Sequence, residues 1–465
     1  MPLNLYDTAT RRTRLFTPIV EGKVGIYLCG ATVQAPPHVG HVRSSVSFDV
    51  LRRWLMAAGY EVTLIRNVTD IDDKIIHNAG HEDVPYWVVA MRNERHFTTA
   101  YDVLGCLPPT YEPRATGHIP EMITMMQRII DAGYGYAVNG DVYFDVRAFP
   151  GYGELSGQKI DDMLAASDSA AMIKRDPRDF AMWKAAKADE PAWDTPWCPG
   201  RPGWHIECSA MAHKYLGPSF DIHGGGLDLV FPHHENEIAQ SKAAGDDFAN
   251  FWMHNAWVTT AGEKMSKSLG NFLLVEQIVT RIRPVELRFY LVGAHYRSML
   301  EYSDEAVKEA GQGYRRIEGF VFRAAESLGL DARDITVDGA ARPQAFNDAM
   351  DDDLSVPAAL AVLHEHVRHG NAALAAGDSS AIAAALAAVV AMTEILGVNP
   401  FTWTDADAGG SKDTLDALVQ VVADQRAQAR ARKDFAAADA IRDGLDAIGI
   451  KLEDTADGVR WTLER

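Results

Sequence analysis

The chain has 465 residues, 47% of them hydrophobic and 23% charged, and a formal net charge of −19. That length exceeds what one hydrophobic core fills, so roughly two to four domains are expected, and so acidic a balance excludes nonspecific nucleic-acid binding through bulk charge. The N-terminus lacks a basic stretch followed by an apolar core, and no apolar run approaches the ~20 residues of a membrane span, so a cytoplasmic protein is expected. In that setting the four cysteines, Cys29, Cys106, Cys198 and Cys208, read as free thiols or metal ligands rather than disulfides.

The apolar run Val24–Leu28 predicts a strand that ends at Cys29. A Gly/Pro-rich loop follows, and His38-Val-Gly-His41 opens a helix whose amphipathic part runs from Ser44 to about Ala58. Free backbone N–H groups and the positive dipole end at such a first turn favour phosphate, which makes His38, Gly40 and His41 candidates for a nucleotide. Glu61–Arg66 predicts a second strand, ending in Asn67-Val-Thr69-Asp-Ile-Asp-Asp-Lys74. Strand, helix, strand with polar residues past both strand ends places the two sets on one edge of a parallel sheet, so the fold class is α/β.

From about 81 to 200 the pattern changes. Arg92–Leu104 and Pro120–Gly133 predict helices, Asp141–Val146 a strand, and Pro177–Gly203 a long irregular return, together an insertion between the halves of the sheet. The sheet resumes near Arg201, with a helix from Trp204, a strand at Phe220–His223, a turn at Gly224–Asp228, and a helix over Phe231–Ser241 with Pro232 in its first turn. A flexible basic loop, Gly262-Glu-Lys264-Met-Ser-Lys267-Ser-Leu-Gly270, comes next. Beyond about Ser303 the pattern is helical, and Ala-rich from Ala340 to Leu396, as a bundle requires. The expected boundaries are a catalytic domain over 1–300, a helical bundle over 301–403, a linker over 404–412 and a small C-terminal unit over 413–465. That unit reads as helices Thr414–Lys433 and Phe435–Ile448 followed by a hairpin.

Cys29, Cys208 and the run His233-His-Glu-Asn-Glu237 carry the case for a metal. On a helix His233 and Glu237 stand at i and i+4 and can share one ion, with His234 and Glu237 the competing pair. Two thiolates, an imidazole and a carboxylate suit zinc.

Several stretches together carry a resemblance. His38-Val-Gly-His41 and Lys264-Met-Ser-Lys267-Ser resemble the HIGH and KMSKS signatures of class I aminoacyl-tRNA synthetases. Cys29-Gly-Ala-Thr-Val, Asn67–Lys74, Gly200–Met211 and Phe220–Glu237 are similar to the cysteinyl-tRNA synthetase family, as is the closing Arg432-Lys-Asp434-Phe-Ala-Ala-Ala-Asp-Ala-Ile-Arg442, in order through the chain.

The resemblance implies a Rossmann-like catalytic domain with an inserted connective domain, a helical bundle and a small α+β anticodon-type domain. It implies one zinc ion held by Cys29, Cys208, His233 and Glu237, binding the thiolate of the substrate cysteine. Gly30, Thr32, Gly40, Thr69, Trp204 and Asp228 then line the cysteine and ATP pocket. His38 and His41 act on the ATP phosphates, Lys264 and Lys267 close over pyrophosphate, and magnesium accompanies ATP. The implied partners are L-cysteine, ATP and the cysteine tRNA; the implied state is a monomer away from membranes.

Ala31 stands where that family commonly has proline, Gln34 where tyrosine is frequent, and Val39 replaces isoleucine. Arg426, Arg430 and Lys433, at i, i+4 and i+7, form a basic helical stripe that becomes a tRNA-backbone surface under this resemblance. Trp461 is a candidate for base stacking. The alternative reading is a cysteine:amino-sugar ligase of mycothiol biosynthesis, which shares the adenylation site but is shorter and lacks the terminal unit.

Overall fold

Val24, Ile26, Tyr27 and Leu28, all buried, make the inner strand of the central sheet, β1 (Lys23–Leu28). The computed structural model describes residues 2–163, 173–260, 263–264, 273–330, 336–403, 408–448, 450–455 and 458–463. After β1 come α1 (Val39–Ala57) and β2 (Glu61–Arg66), and the two strands run parallel from Lys23↔Glu61 to Leu28↔Arg66. The second half of the sheet is α2 (Trp204–Leu216), β3 (Ser219–Gly226), α3 (Glu235–Ala243) and β4 (Phe248–Asn255). The strand order is β4-β3-β1-β2 and every pairing is parallel, so Cys29, Asn67 and Leu227 all emerge at the same edge.

Three differences from the sequence expectation bear on that edge. The glycines Gly224 to Gly226 are not a turn but the end of β3, paired with Met253, His254 and Asn255 of β4. Glycine serves close packing there: a Cβ on Gly224 would collide with the Phe48 ring of α1. The helix expected from Phe231 begins only at Glu235, because Phe231 precedes a proline and is extended (φ −141, ψ 131). His233 and His234 lie in the wide turn Val230–His234 that leads into α3.

Nor is the return through 177–203 irregular throughout. Phe180–Ala185 and Gly200–Pro202 are strands that complete an antiparallel sheet with Gly135–Val138 and Asp141–Phe144. Met122, Met126, Phe144 and Trp183 of this insertion share one hydrophobic cluster with Tyr27 of β1 and Ile206 and Met211 of α2. An N-terminal hairpin, Asn4–Asp7 with Arg12–Leu15, carries no periodic signal in the sequence and appears only in the structure.

A second small sheet follows β4. Val258–Thr260 pairs antiparallel with Glu263–Lys264 and parallel with Leu300–Glu301. Then come α4 (Pro284–Gly293), α5 (Asp304–Ser327), α6 (Gln344–Asp351), α7 (Val356–Ala376) and α8 (Ser379–Leu396). Alpha-8 has 18 residues and a mean hydropathy of 1.9, enough by length and composition to cross a membrane, and more than the sequence reading allowed. Here it packs against α1, α5 and α7, and 56% of it is buried.

The chain divides into two compact units, Met1–Asn399 and Pro400–Arg465, so the helices α5 to α8 belong to the unit that holds the sheet. In the second unit α9 (Ala408–Ala431) starts inside the stretch expected to be a linker, whose residues 404–407 lie outside the described residues. It is followed by α10 (Phe435–Ala447) and the antiparallel pair β5 (Ile450–Thr455) and β6 (Gly458–Leu463).

Candidate active site

Cys29 follows β1 directly, its N–H held by the Gly224 carbonyl at 3.0 Å. Cys208 stands on α2, His233 just before α3, and Glu237 in the first turn of α3. The Cys29 and Cys208 sulfurs are 3.8 Å apart, Cys29 Sγ is 3.3 Å from Glu237 Oε1, and His233 Nε2 is 2.9 Å from that same oxygen. All four residues are buried, Cys29 the most exposed at 9%.

Among the described residues two groups of side chains could hold a metal ion: Cys29, Cys208, His233 and Glu237, and Cys29, His223, His234 and Glu237. Two thiolates on one tetrahedral zinc, with Zn–S ≈ 2.3 Å, lie about 3.8 Å apart, which is the spacing of Cys29 and Cys208. The first group also has the softer donors. In the second, His234 Nδ1 is engaged by His254 Nε2 at 2.7 Å and His223 Nε2 by Glu237 Oε2 at 2.7 Å. The donor set therefore fits zinc best at Cys29, Cys208, His233 and Glu237.

The charges agree with that choice. Burial pushes the Cys29 thiol up, and the neighbouring Cys208 and Glu237 add to it. Burial also acts to raise Cys208, but the Cys29 S–H and His233 outweigh it and bring it to about 6. Burial acts to lower His233, yet Glu237 and Cys208 raise it to about 10. Against burial, His223 and His233 hold Glu237 well below the usual carboxylate range. Opposite charges are thus favoured on His233 and Glu237, and a divalent cation that binds the two sulfurs and the imidazole displaces the protons they carry.

Trp204 opens α2 and lays its ring over His233, centroids 4.2 Å apart at 29°, while staying 37% exposed. Thr32 and Thr69 meet in a parallel bridge across the β1 and β2 ends. The Gly30 N–H donates to Asn67 Oδ1 (2.8 Å), Asn67 Nδ2 lies 3.2 Å from Thr69 Oγ1, and that hydroxyl donates to Glu207 Oε2 (3.0 Å). Asp228 lies in the exposed turn beyond β3, 3.3 Å from the Trp257 indole nitrogen.

His38 is the N-cap of α1 and His41 its third residue. Gly40 N–H donates to His38 Nδ1 (3.1 Å) and His38 N–H donates to His41 Nδ1 (3.2 Å), a reciprocal capping box built from two imidazoles. A backbone N–H can only donate, so both Nδ1 atoms are acceptors and each neutral ring carries its proton on Nε2. The rings lie 3.7 Å apart, and a Cβ on Gly40 would stand 2.9 Å from His38 Cε1. Lys264 ends the short strand Glu263–Lys264, and Lys267 lies outside the described residues. Where the described chain resumes, Leu274 bridges His38, and the Val39 N–H donates to the Leu273 carbonyl at 3.1 Å. The histidine turn is thereby joined to the far end of the lysine-bearing segment.

Of the three departures in the loop, Val39 is fully buried and Gln34 keeps its carbonyl on Asn78 Nδ2 at 2.9 Å. Ala31 lines a recess with Val33, Arg66, Phe97 and Tyr101. The sequence reading missed His223, Glu207, His205 and Asn67. Each lies inside a quoted motif, but which strand face or helix turn meets the cluster is set by tertiary packing. In the C-terminal unit Arg426 and Arg430 lie on α9, but Lys433 does not extend their stripe. The helix ends at Ala431, and Lys433 has a left-handed backbone (φ 62) ahead of Asp434, which caps α10. Trp461 is partly buried and packs against that unit's core of Val419, Leu445 and Ile450.

This edge, with a histidine-capped helix and a lysine hairpin on a parallel sheet, is that of a class I synthetase. A family profile described as tRNA synthetases class I (C) catalytic domain matches residues 15–312, and a DALR domain profile matches residues 345–401. Among solved structures, Mycobacterium tuberculosis methionyl-tRNA synthetase bound by methionyl-adenylate aligns with a TM-score of 0.59 at 15% identity, over 82% of this chain and 92% of that one. A putative arginyl tRNA synthetase from Campylobacter jejuni gives 0.52 at 12% identity, over 81% and 93%. These likenesses show the fold. Sequence relatives are far nearer: the cysteine–tRNA ligase of Streptomyces avermitilis is 58% identical over 467 residues, covering 100% of this chain and 99% of its own length. That of Nocardioides sp. is 57% identical over 476 residues, covering 100% of each. The chain belongs to the cysteine–tRNA ligase family and is a ligase of protein biosynthesis.

Proposed function

We propose that the cluster Cys29, Cys208, His233 and Glu237 holds one zinc ion and reads the substrate cysteine by its sulfur. The 3.8 Å spacing of the two buried sulfurs, joined by an imidazole and a carboxylate, carries this reading. Zinc held there supplies, when bound, a soft acid that takes a thiolate in preference to a hydroxyl. A methylene-scale pocket alone gives only roughly 10–200-fold discrimination, so a metal filter supplies the selectivity against serine that shape cannot.

The chain's own residues do the rest. Trp204 covers His233 and shields that side of the cluster from water. Thr32, Thr69 and Gly30 line the path from the cluster to the histidine turn, and Asp228 stands at its exposed rim. His38 and His41, each presenting an Nε2–H, stabilise the ATP phosphates with the α1 N-terminus while the cysteine carboxylate attacks the α-phosphorus. Gly40 lets the rings lie over that turn. Lys264 and Lys267 close over pyrophosphate. Positioning and charge stabilisation suffice for such a step, and no side-chain nucleophile is needed. Magnesium enters with ATP. The adenylate then passes its cysteine to the 3′-terminal adenosine of the cysteine tRNA, whose backbone Arg426, Arg430 and Lys433 contact. The reading is of a cytoplasmic monomer with no membrane partner.

Cysteine-dependent ATP–pyrophosphate exchange tests the first half. Cys29→Ser and His233→Ala should each lose bound zinc and exchange; a variant keeping both would remove the metal assignment. Charging of cysteine tRNA run beside an amino-sugar acceptor tests the second half. Transfer to the sugar alone would replace the tRNA with the alternative acceptor.

A further inference from the structure

Arg43 lies two residues beyond the His38–His41 turn, on the buried face of α1, and is 1% exposed. The two terminal nitrogens of its guanidinium reach four main-chain carbonyls, while the buried Nε has no hydrogen-bond partner. Nη1 donates to Ala256 (3.1 Å) and Trp257 (2.7 Å), and Nη2 to His295 (3.3 Å) and Ser298 (2.5 Å). Burial lowers the pKa to about 10, which still leaves the group charged at neutral pH.

Where those carbonyls lie gives the contact its meaning. Ala256 and Trp257 join β4 to Val258–Thr260, the strand that pairs with Glu263–Lys264. His295 and Ser298 lie just before Leu300–Glu301, the strand on the other side of Val258–Thr260. Arg43 therefore grips both roots of the small sheet that carries Lys264. The far end of the same segment is tied to α1 as well, through Leu274 on His38 and Val275 N–H on the Pro37 carbonyl at 3.2 Å. The lysine-bearing stretch is thus attached at both ends to the helix that presents the two histidines.

We infer that Arg43 is a positioning residue for ATP: it fixes the root of the lysine hairpin at a set distance from His38 and His41. A lysine has three donors on one point and no planar fork, so it cannot span two pairs of carbonyls on two segments. The inference rests on the reading of His38, His41 and Lys264 as the groups that handle ATP.

Cysteine-dependent ATP–pyrophosphate exchange, zinc content, cysteine binding without ATP, and amide hydrogen exchange are measured on full-length wild type, Arg43→Lys and Arg43→Met. Misplacement of a reacting group by an ångström costs about 10²-fold. Arg43→Met should therefore lose about that much in kcat with a raised KM for ATP, and Arg43→Lys should fall between it and wild type. Zinc content and cysteine affinity should stay at wild-type level, and faster amide exchange should be confined to residues 256–264 and 295–301. Should Arg43→Met fail to fold, the same measurements on Arg43→Lys decide the matter. Wild-type ATP kinetics in a folded variant would overturn the inference, and so would parallel loss of cysteine binding or faster exchange spread over the whole unit. Absence of exchange activity in the wild-type chain would instead strike the ATP reading beneath it.

Discussion

Glu237 uses one carboxylate oxygen toward Cys29 and His233 and gives the other to His223 Nε2 at 2.7 Å. His223 is itself stacked on Trp252, ring centroids 4.5 Å apart at 19°, and has no exposed surface. It therefore sets the direction of a proposed zinc ligand without being one. Partners of this kind are worth about 10–100-fold in metal affinity, so His223→Ala should weaken zinc binding by that much in a chelator competition, with Cys29 and Cys208 intact. Unchanged affinity would mean that α3 alone orients the carboxylate. The residue scale is also where the sequence was most and least informative. Cys29, Cys208, His233 and Glu237 could be named as a set, and the structure brings their donor atoms within 4.8 Å of one another. Nothing in the sequence separated His223 from an ordinary core histidine, because its role depends on a side chain fourteen positions away on the helix α3.

Elements hold this edge in place as much as single residues do, and α1 is the main one. Its Asp49 is buried against Arg288 of α4 (2.5 Å) and Arg53 (2.8 Å), and accepts from the Leu107 N–H at 2.7 Å. Arg288 in turn donates to the carbonyls of Leu104 and Leu396, both at 2.9 Å, so one ion pair fastens α1, the insertion and the end of α8. Removing one member of a buried pair costs about 3–5 kcal/mol, while replacing both by apolar groups is often neutral. Asp49→Asn should lower stability in urea by about that amount, and Asp49→Leu with Arg288→Met by much less. Burial acts to raise the Asp49 pKa, but Arg288 and Arg53 outweigh it and hold it below the ordinary carboxylate value. The stabilisation is therefore fully present above the unfolded-state value of about 4 and is lost as pH falls through the lower folded value. The Asn variant should show a flatter stability profile over that acid range. At this scale β1, β2 and the histidine turn were legible from period and composition. The end of β3 was not, because three glycines signal a turn locally and only the approach of Phe48 makes them strand residues.

At the scale of the whole molecule the chain divides between Asn399 and Pro400 into two units, each compact by itself. Every residue proposed to act on cysteine or ATP lies before that division, so a chain ended after Trp403 should keep zinc and cysteine-dependent ATP–pyrophosphate exchange while charging of cysteine tRNA collapses. Equal loss of both would assign the terminal unit a structural role. The net charge of −19 makes the tRNA reading demanding, since attraction has to come from a local basic face. Arg426 and Arg430 stand one turn apart on α9, whereas Lys433 sits in the turn beyond it with its own backbone direction. If the two arginines neutralise tRNA phosphates, each should release about one condensed counterion, and each Arg→Ala change should reduce the slope of log affinity against log salt by about 0.7–0.9. The comparison is made by filter binding of cysteine tRNA over a salt series, with exchange activity as the control that the first unit is intact. A slope that does not move with either arginine would make α9 a solvated face and shift the search for the anticodon-arm contact to other surfaces of the terminal unit.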